Sequence, residues 1–405
     1  MNPKPEIQLI LSCARTQVND ATKREIKQLL EQNLDWDYVL ETAAYHGVLP
    51  LLYQNINSIT SESIPPNILK KLRYEFHSNA LHNHLLHQEL VRVIQFLEKH
   101  KIKAIPFKGS VLAAAVYGKL TLREFSDLDL LVSPQDFAKA KQLLESGGGY
   151  HSTFDWCFFS PDVEAKHLRT CGEYSLTHND SEVFIDLHQQ LTPTSFLAFA
   201  VDFEDLQQRL KPVSIGESTC YSFGEEDLLL YLCVHGSKEG WRCLKWVCDL
   251  AQSLTVNSHI DWLQLQQRAQ NLGCERMLNL GLILTAQLLN QPLPAAMELA
   301  IETDTTSQKL ANKITKEIFR TPQQLTSSLD WQKFYLHLRI LSSFQHRTYY
   351  CFHYLHRWLT EPWKKLLQPT ANDRKWLSLP SSYYFLYYFL RPVRLLQQLG
   401  QKNAF

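Results

Sequence analysis

The sequence predicts an α+β protein in which a small mixed sheet is embedded between N-terminal and C-terminal helical regions. Three observations predict it. Residues 1 to about 100 read as helices, strand and helix signals alternate from Lys101 to about Gly216, and helical spacing returns after Glu225. The expected organisation is a helical region over 1–100, a catalytic core over 101–216, a helical domain completing a cleft over 217–320, and a basic, aromatic-rich helical region over 321–405. No internal repeat or low-complexity tract interrupts it.

Each element has its own signal. Asp20-Ala21-Thr22-Lys23 opens a helix ahead of Ile26, Leu29 and Leu30. Asn67 to Lys99 carries an extended helical pattern through Leu81, Leu85, Leu90, Val93, Ile94 and Leu97. Ile105-Pro106-Phe107 reads as a short strand, and Lys108-Gly109-Ser110 as the turn into a helix beginning near Val111. Glycine there lets backbone approach a phosphate, Ser110 can cap the helix, and a helix N-terminus favours an anion. Asp127 to Val132 is a strand, Gln135 to Glu145 a helix ended by Gly147-Gly148-Gly149, and Val183 to His188 a second strand. Trp262 to Leu272 and Met277 to Leu289 are the later helices.

The strands carry the chemistry. Successive strand residues alternate faces, so Asp127 and Asp129 project to one side while Leu128, Leu130 and Val132 anchor the other. Two neighbouring carboxylates repel unless a cation joins them, and magnesium is a hard ion that takes one or two carboxylates plus substrate phosphates. Alternation likewise leaves Phe184, Asp186 and His188 on the side opposite Val183, Ile185 and Leu187. Asp186 is therefore the candidate third carboxylate for holding two metals, with Asp180 or Glu182 next.

With those residues in place, the segment resembles the nucleotidyltransferase superfamily with the DNA polymerase β-like fold. More closely it is similar to the bacterial uncharacterised nucleotidyltransferase family and its relatives among abortive-infection toxin nucleotidyltransferases. The pattern runs K-G, a helix with Leu and Tyr, R-x-x-x-D-[LI]-D-[LI]-L-[VI], then a strand ending I-D-L-H. Lys108, Gly109, Leu112, Tyr117, Arg123, Asp127, Asp129, Asp186 and His188 carry it here. The resemblance implies that Gly109 and Ser110 hold a nucleoside triphosphate, with Lys108 or Arg123 offsetting charge. It implies that Asp127, Asp129 and Asp186 bind two magnesium ions. The wider superfamily sets Gly-Gly or Gly-Ser directly after a hydrophobic strand, whereas this chain has Lys before its Gly-Ser, so the role of Lys108 is inferred. The implied reaction moves a nucleoside monophosphate from an NTP to a small-molecule, protein or RNA acceptor, with release of pyrophosphate. A toxin-like transferase acting on tRNA and a catalytically degenerate nucleotide-binding module remain alternatives.

A second feature lies between Leu228 and Leu254. His235, Lys238, Arg242, Lys245 and Asp249 follow steps of three and four residues, so on one continuous helix they share a face. The resembling family carries His, Lys, Trp and Asp there, which implies contact with phosphate or acceptor and lets Asp249 orient Lys245 or Arg242. Gly236 and Gly240 weaken an unbroken helix, and a solvated charged face is the alternative.

Composition bounds the rest. At 405 residues, 45% hydrophobic and 20% charged, the chain can bury a sizeable core. No stretch approaches the roughly 20 apolar residues needed to span a bilayer, and the start lacks a credible signal sequence. The nine cysteines are scattered without a C-x-x-C pair, which indicates neither a zinc site nor a disulfide framework and suits a cytoplasmic protein. From Trp331 to Phe405 there are 11 Lys and Arg against Glu361 and Asp373, a difference of +9. With Trp358, Trp363, Trp376 and the run Tyr383 to Leu390 interleaved, that region could grip nucleic acid, touch a membrane surface, or pack as an ordinary helical layer.

Overall fold

The structure is a computed structural model describing residues 3–59, 64–154, 161–196, 198–257, 259–320, 329–367, 369 and 371–402. The N-terminal helices are α1 (Pro5–Cys13), α2 (Asp20–Leu30), α3 (Trp36–Tyr45), α4 (Leu49–Ile59) and the long α5 (Pro66–Lys99). Asn19 caps α2 by accepting from the Thr22 amide, one residue before the expected start. Then come β1 (Ala104–Pro106), α6 (Gly109–Leu112), β2 (Asp127–Val132), α7 (Phe137–Ser146), β3 (Tyr150–Ser152), α8 (Pro161–Cys171), β4 (Glu173–His178) and β5 (Phe184–His188).

The five strands form one mixed sheet in the order β1-β2-β5-β4-β3. Only β2 and β5 run parallel, while β1 with β2, β4 with β5, and β3 with β4 are antiparallel. Leu128, Leu130, Val132, Ile185 and Leu187 face a core closed by Leu86, Leu90, Val93 and Leu97 of α5 and by Phe137, Ala140 and Leu144 of α7. Leu81 and Leu85, expected on the apolar stripe of α5, are instead exposed, because the stripe that meets the sheet runs through Leu86 and Leu90.

A short α9 (Phe203–Gln207) leads to the hairpin β6 (Lys211–Ile215) and β7 (Ser218–Ser222), whose turn falls at the 216/217 boundary expected between core and helical domain. Helices follow: α10 (Glu225–Glu239), α11 (Leu244–Val256), α12 (Trp262–Asn271), α13 (Glu275–Leu289), α14 (Glu298–Thr303), α15 (Thr305–Glu317), α16 (Leu329–Ile340), α17 (Phe344–Leu367), α18 (Ala371–Trp376) and α19 (Tyr387–Lys402). Residues 321–328, which open the expected fourth region, lie outside the described residues. The helices on either side of the sheet share one core: Leu9, Ile10, Ile26 and Leu51 belong to the same buried cluster as Leu229, Val247, Leu280 and Leu310. No described helix is long and apolar enough to cross a membrane. Eight cysteines are free thiols, and Cys157 lies outside the described residues.

Candidate functional site

The site begins where β1 ends. Phe107 is buried, stacked 5.3 Å from Phe223 and edge-on to Tyr231, which fixes the turn beside it. Gly109 has φ +56°, a backbone conformation that favours glycine, and a Cβ there would be in ordinary contact with the Asp127 carbonyl at 3.4 Å. The helix starts at Gly109 rather than near Val111. Ser110 is consequently inside α6 and not its cap; its buried hydroxyl lies 3.3 Å from His87 Nδ1 of α5.

On β2 and β5 the parallel register sets Asp129 opposite Asp186 and Leu131 opposite His188. Asp127 lies two residues before Asp129 and so projects from the same face. That face looks toward α10 and α11, opposite the core under α5. Lys108 Nζ bonds Asp129 Oδ1 at 2.7 Å, with the lysine over the rings of Phe107 and Tyr231. His188 Nε2 is 3.4 Å from the same oxygen and is a buried ring nitrogen with no hydrogen-bond partner among the described residues. Ser175 of β4, in register with Asp186, donates to Asp186 Oδ1 at 2.5 Å.

These contacts divide the acids. Burial alone would raise the Asp129 carboxyl, but Lys108 and His188 hold it well below the usual carboxylate range. Asp127 moves the other way: burial, then the Asp129 charge, raise it, against the smaller pull of Lys108 and Lys245. Burial opposes the Lys108 ammonium, yet Asp129 and Tyr231 hold it above the ordinary lysine value. Two adjacent acids with opposite shifts form an arrangement that an added cation rebalances.

The donor chemistry fits a divalent metal. Asp129, Asp186 and His188 each offer a ligand atom, all within 4.8 Å of one another, and His188 Nε2, which faces Asp129 without an aligned hydrogen bond, is a buried ring nitrogen beside them. Asp127 stands beside this cluster, close enough for both Asp129 and Asp186 to act on its carboxyl. The carboxylate oxygens suit a hard ion and the imidazole nitrogen adds a borderline donor.

Arg123 is tied to α11, though the Asp129 charge still acts on it. It makes a bidentate pair with Asp249 of α11, at 2.7 and 2.9 Å, and Tyr117 donates to the same carboxylate at 2.7 Å. Arg123 and Asp249 are both buried. Asp249 thus orients Arg123 rather than Lys245 or Arg242, and ties the approach to β2 onto α11. Asn83 of α5 supports the same approach, donating to the carbonyls of Leu120 and Arg123 at 2.6 and 2.8 Å.

The expected continuous stripe is broken. Gly240 adopts φ +76° and ends α10, the Trp241 amide donates back to the Gly236 carbonyl, and a Cβ on Gly236 would strike the Trp241 ring at 2.6 Å. The break sends the residues to different places. His235 stacks on Tyr231 and meets Trp246 edge-on; burial first, then Lys108 and Lys238, keep its imidazole neutral. Lys245 donates to the Glu124 carbonyl at 3.1 Å and its charge reaches Asp127. Lys238 pairs with Glu239 at 3.5 Å. Arg242 is exposed and borders a different hollow, lined by Glu239, Lys313, Lys333 and Tyr335.

Sequence reasoning overlooked Ser175, Tyr231 and Glu124, and recognised the face of His188 without assigning it a role. Ser175 depends on the β4–β5 register, which no local spacing encodes. The I-D-L-H strand ending was the available signal for His188. A family described as Uncharacterised nucleotidyltransferase matches residues 32–290, more than half of the chain. No curated protein matches it.

Proposed function

The chain belongs to the uncharacterised nucleotidyltransferase family, and on that premise we propose that it moves a nucleoside monophosphate from a nucleoside triphosphate to an acceptor hydroxyl or phosphate. One observation carries the reading: Asp129 and Asp186 are direct partners across two parallel strands, with Asp127 on the same face beside the Lys108-Gly109 turn. An acceptor oxygen attacks the α-phosphorus, the bond to the bridging oxygen breaks, and pyrophosphate leaves. Asp127, Asp129, Asp186 and His188 would hold magnesium or a similar ion, which when bound supplies charge compensation between carboxylates and triphosphate.

The protein's own groups divide the remaining work. Gly109 lets the backbone lie close to the phosphates, with Ser110 behind it. Lys108, released from Asp129 as metal and nucleotide arrive, turns its ammonium to the triphosphate. Asp186, held by Ser175, takes the acceptor proton. Lys245 balances the Asp127 side, and neutral His235 offers a hydrogen bond to the acceptor. Arg123 contributes through Asp249, by holding the strand approach in position. The free thiols suit a reducing compartment such as the cytoplasm.

Incubating purified protein with each α-labelled NTP, a divalent ion and fractionated cell extract tests this. Label transfer with pyrophosphate release, lost in Asp129→Asn, is the expected result, and label on tRNA would identify RNA as the acceptor. The second reading, a nucleotide-binding module without turnover, is favoured by one contact: Lys108 and His188 already crowd the Asp129 carboxylate. Saturable NTP binding with no transfer to any fraction would establish it.

A further inference from the structure

Helix α17 is amphipathic in the reverse of the usual sense. Tyr350 packs against Phe334 and hydrogen-bonds His337 of α16, so the inward side of α17 is already satisfied. Its outward side carries Phe344, Phe352, Leu355, Trp358 and Leu359, which are 53% to 77% exposed. At 100° per residue these five fall within one apolar stripe rather than around the helix. On α19, which packs against α17, Phe389 and Val393 are exposed as well. Scattered exposed apolar residues need no explanation, but a continuous stripe of large ones does.

We propose that this outward side of α17, extended by α19, docks on the interface of an anionic lipid bilayer. Charge complementarity selects the occupant. The chain from Trp331 to Phe405 carries a net +9, with Arg357 exposed on α17 and Lys364 and Lys365 following in sequence. Aromatic and aliphatic side chains on one helix face, within a segment of net positive charge, are the composition of a helix lying in the headgroup region. Nucleic acid would use planar rings interleaved with exposed cations, and the aliphatic Leu355, Leu359 and Val393 cannot stack on bases. A second copy on the same face would oppose two segments of +9 across a two-fold axis. The proposal stands apart from the transferase reading, because α17 and α19 supply none of the residues around Asp129.

The full-length protein is to be sedimented with neutral phosphatidylcholine vesicles and with vesicles containing phosphatidylserine, while tryptophan emission is followed. Salt-sensitive binding to the anionic vesicles with a blue shift is expected. Leu355→Asp with Leu359→Asp should lower the partition coefficient by about tenfold or more, since both replace apolar groups that insert. Lys364→Glu with Lys365→Glu should weaken binding to anionic vesicles only. Matching circular dichroism and melting of the variants rules out misfolding, because Leu355 and Leu359 face solvent. Failure of the wild-type protein to sediment with anionic vesicles, or unchanged binding by the aspartate pair, overturns the proposal. So does a mobility shift of single-stranded RNA, or a dimer in light scattering, that the aspartate pair abolishes while vesicle binding persists.

Discussion

Replacing Lys108 with methionine removes one half of a buried ion pair while keeping most of the side-chain volume. Lys108 Nζ and Asp129 Oδ1 are 2.7 Å apart, and their side chains are 18% and 3% exposed. Removing one partner of such a pair costs about 3–5 kcal/mol, because the other charge stays buried without compensation. His188, 3.4 Å from the same carboxylate, still offers it a dipole, which points to the lower end, about 3 kcal/mol. Asp129→Asn should cost a similar amount by stranding the ammonium, although Tyr231 remains beside it. The double variant Lys108→Met with Asp129→Asn buries no charge and should recover at least ~2 kcal/mol of the summed loss. Urea denaturation of the four proteins measures that coupling. Adding Mg²⁺ or Mn²⁺ without nucleotide supplies a second readout: Lys108→Met should gain more stability than wild type, up to about 2.7 kcal/mol at a hundred times the dissociation constant. Strictly additive losses would refute the buried pair. No greater gain from divalent ions would refute the idea that the ammonium stands where a metal would otherwise compensate Asp129.

Asp127→Asn should abolish transfer while metal-free stability holds or rises, since burial and the neighbouring carboxylate already favour the neutral form; a labelled-NTP assay beside a thermal melt checks both halves. Lys245→Ala should raise KM for triphosphate or acceptor by roughly 10- to 100-fold, the loss of one charge-assisted contact, while Arg242→Ala changes kinetics little; equal effects would remove the distinction drawn between them. Burial raises Glu124 to about 7, partly offset by Lys245. Between the ordinary glutamate range and that value the folded protein keeps a proton the unfolded chain has lost, so this contribution is full at low pH and disappears as pH rises through 7. Glu124→Gln should therefore match wild type near pH 5 and be more stable by on the order of 1–3 kcal/mol at pH 8, and a gain independent of pH would assign the effect elsewhere.

The carboxylate strands were legible because alternation is local: Leu128, Leu130 and Ile185 against Asp127, Asp129 and Asp186 reveal both faces without knowledge of any partner. Their juxtaposition was not, since only the parallel pairing of β2 with β5 sets Asp186 against Asp129. The helical stripe misled for the opposite reason. Spacing of three and four places residues on one face only while the backbone stays helical, and Gly240 with Trp241 ends that condition between Lys238 and Arg242. Arg123 is expected to offset nucleotide charge from its place in the motif, whereas its partner Asp249 lies 126 residues away and only the fold brings the two together. That helices before and after the sheet contribute to one core, from Leu9 to Leu341, is likewise a matter of tertiary packing that local spacing does not encode.

That shared core has a consequence for synthesis. The Arg15 guanidinium donates to the Leu289 carbonyl, 274 residues later, and the Ala14 carbonyl meets the Cys248 thiol. Helix α1 therefore completes its packing only after α11 and α13 have been made. At roughly 5–20 residues per second the delay is about 15 to 55 s, during which Leu9, Ile10 and Cys13 can pack against α2, α3 and α4 but not yet against α13. The strands can pair with α5 in the meantime, and Ile215 and Cys220 of the β6–β7 hairpin then complete their core. Assembly should accordingly close on α11 and α13 last, and a nascent chain arrested before residue 244 would present the N-terminal helices to chaperones and proteases with the side that meets α11 and α13 uncovered.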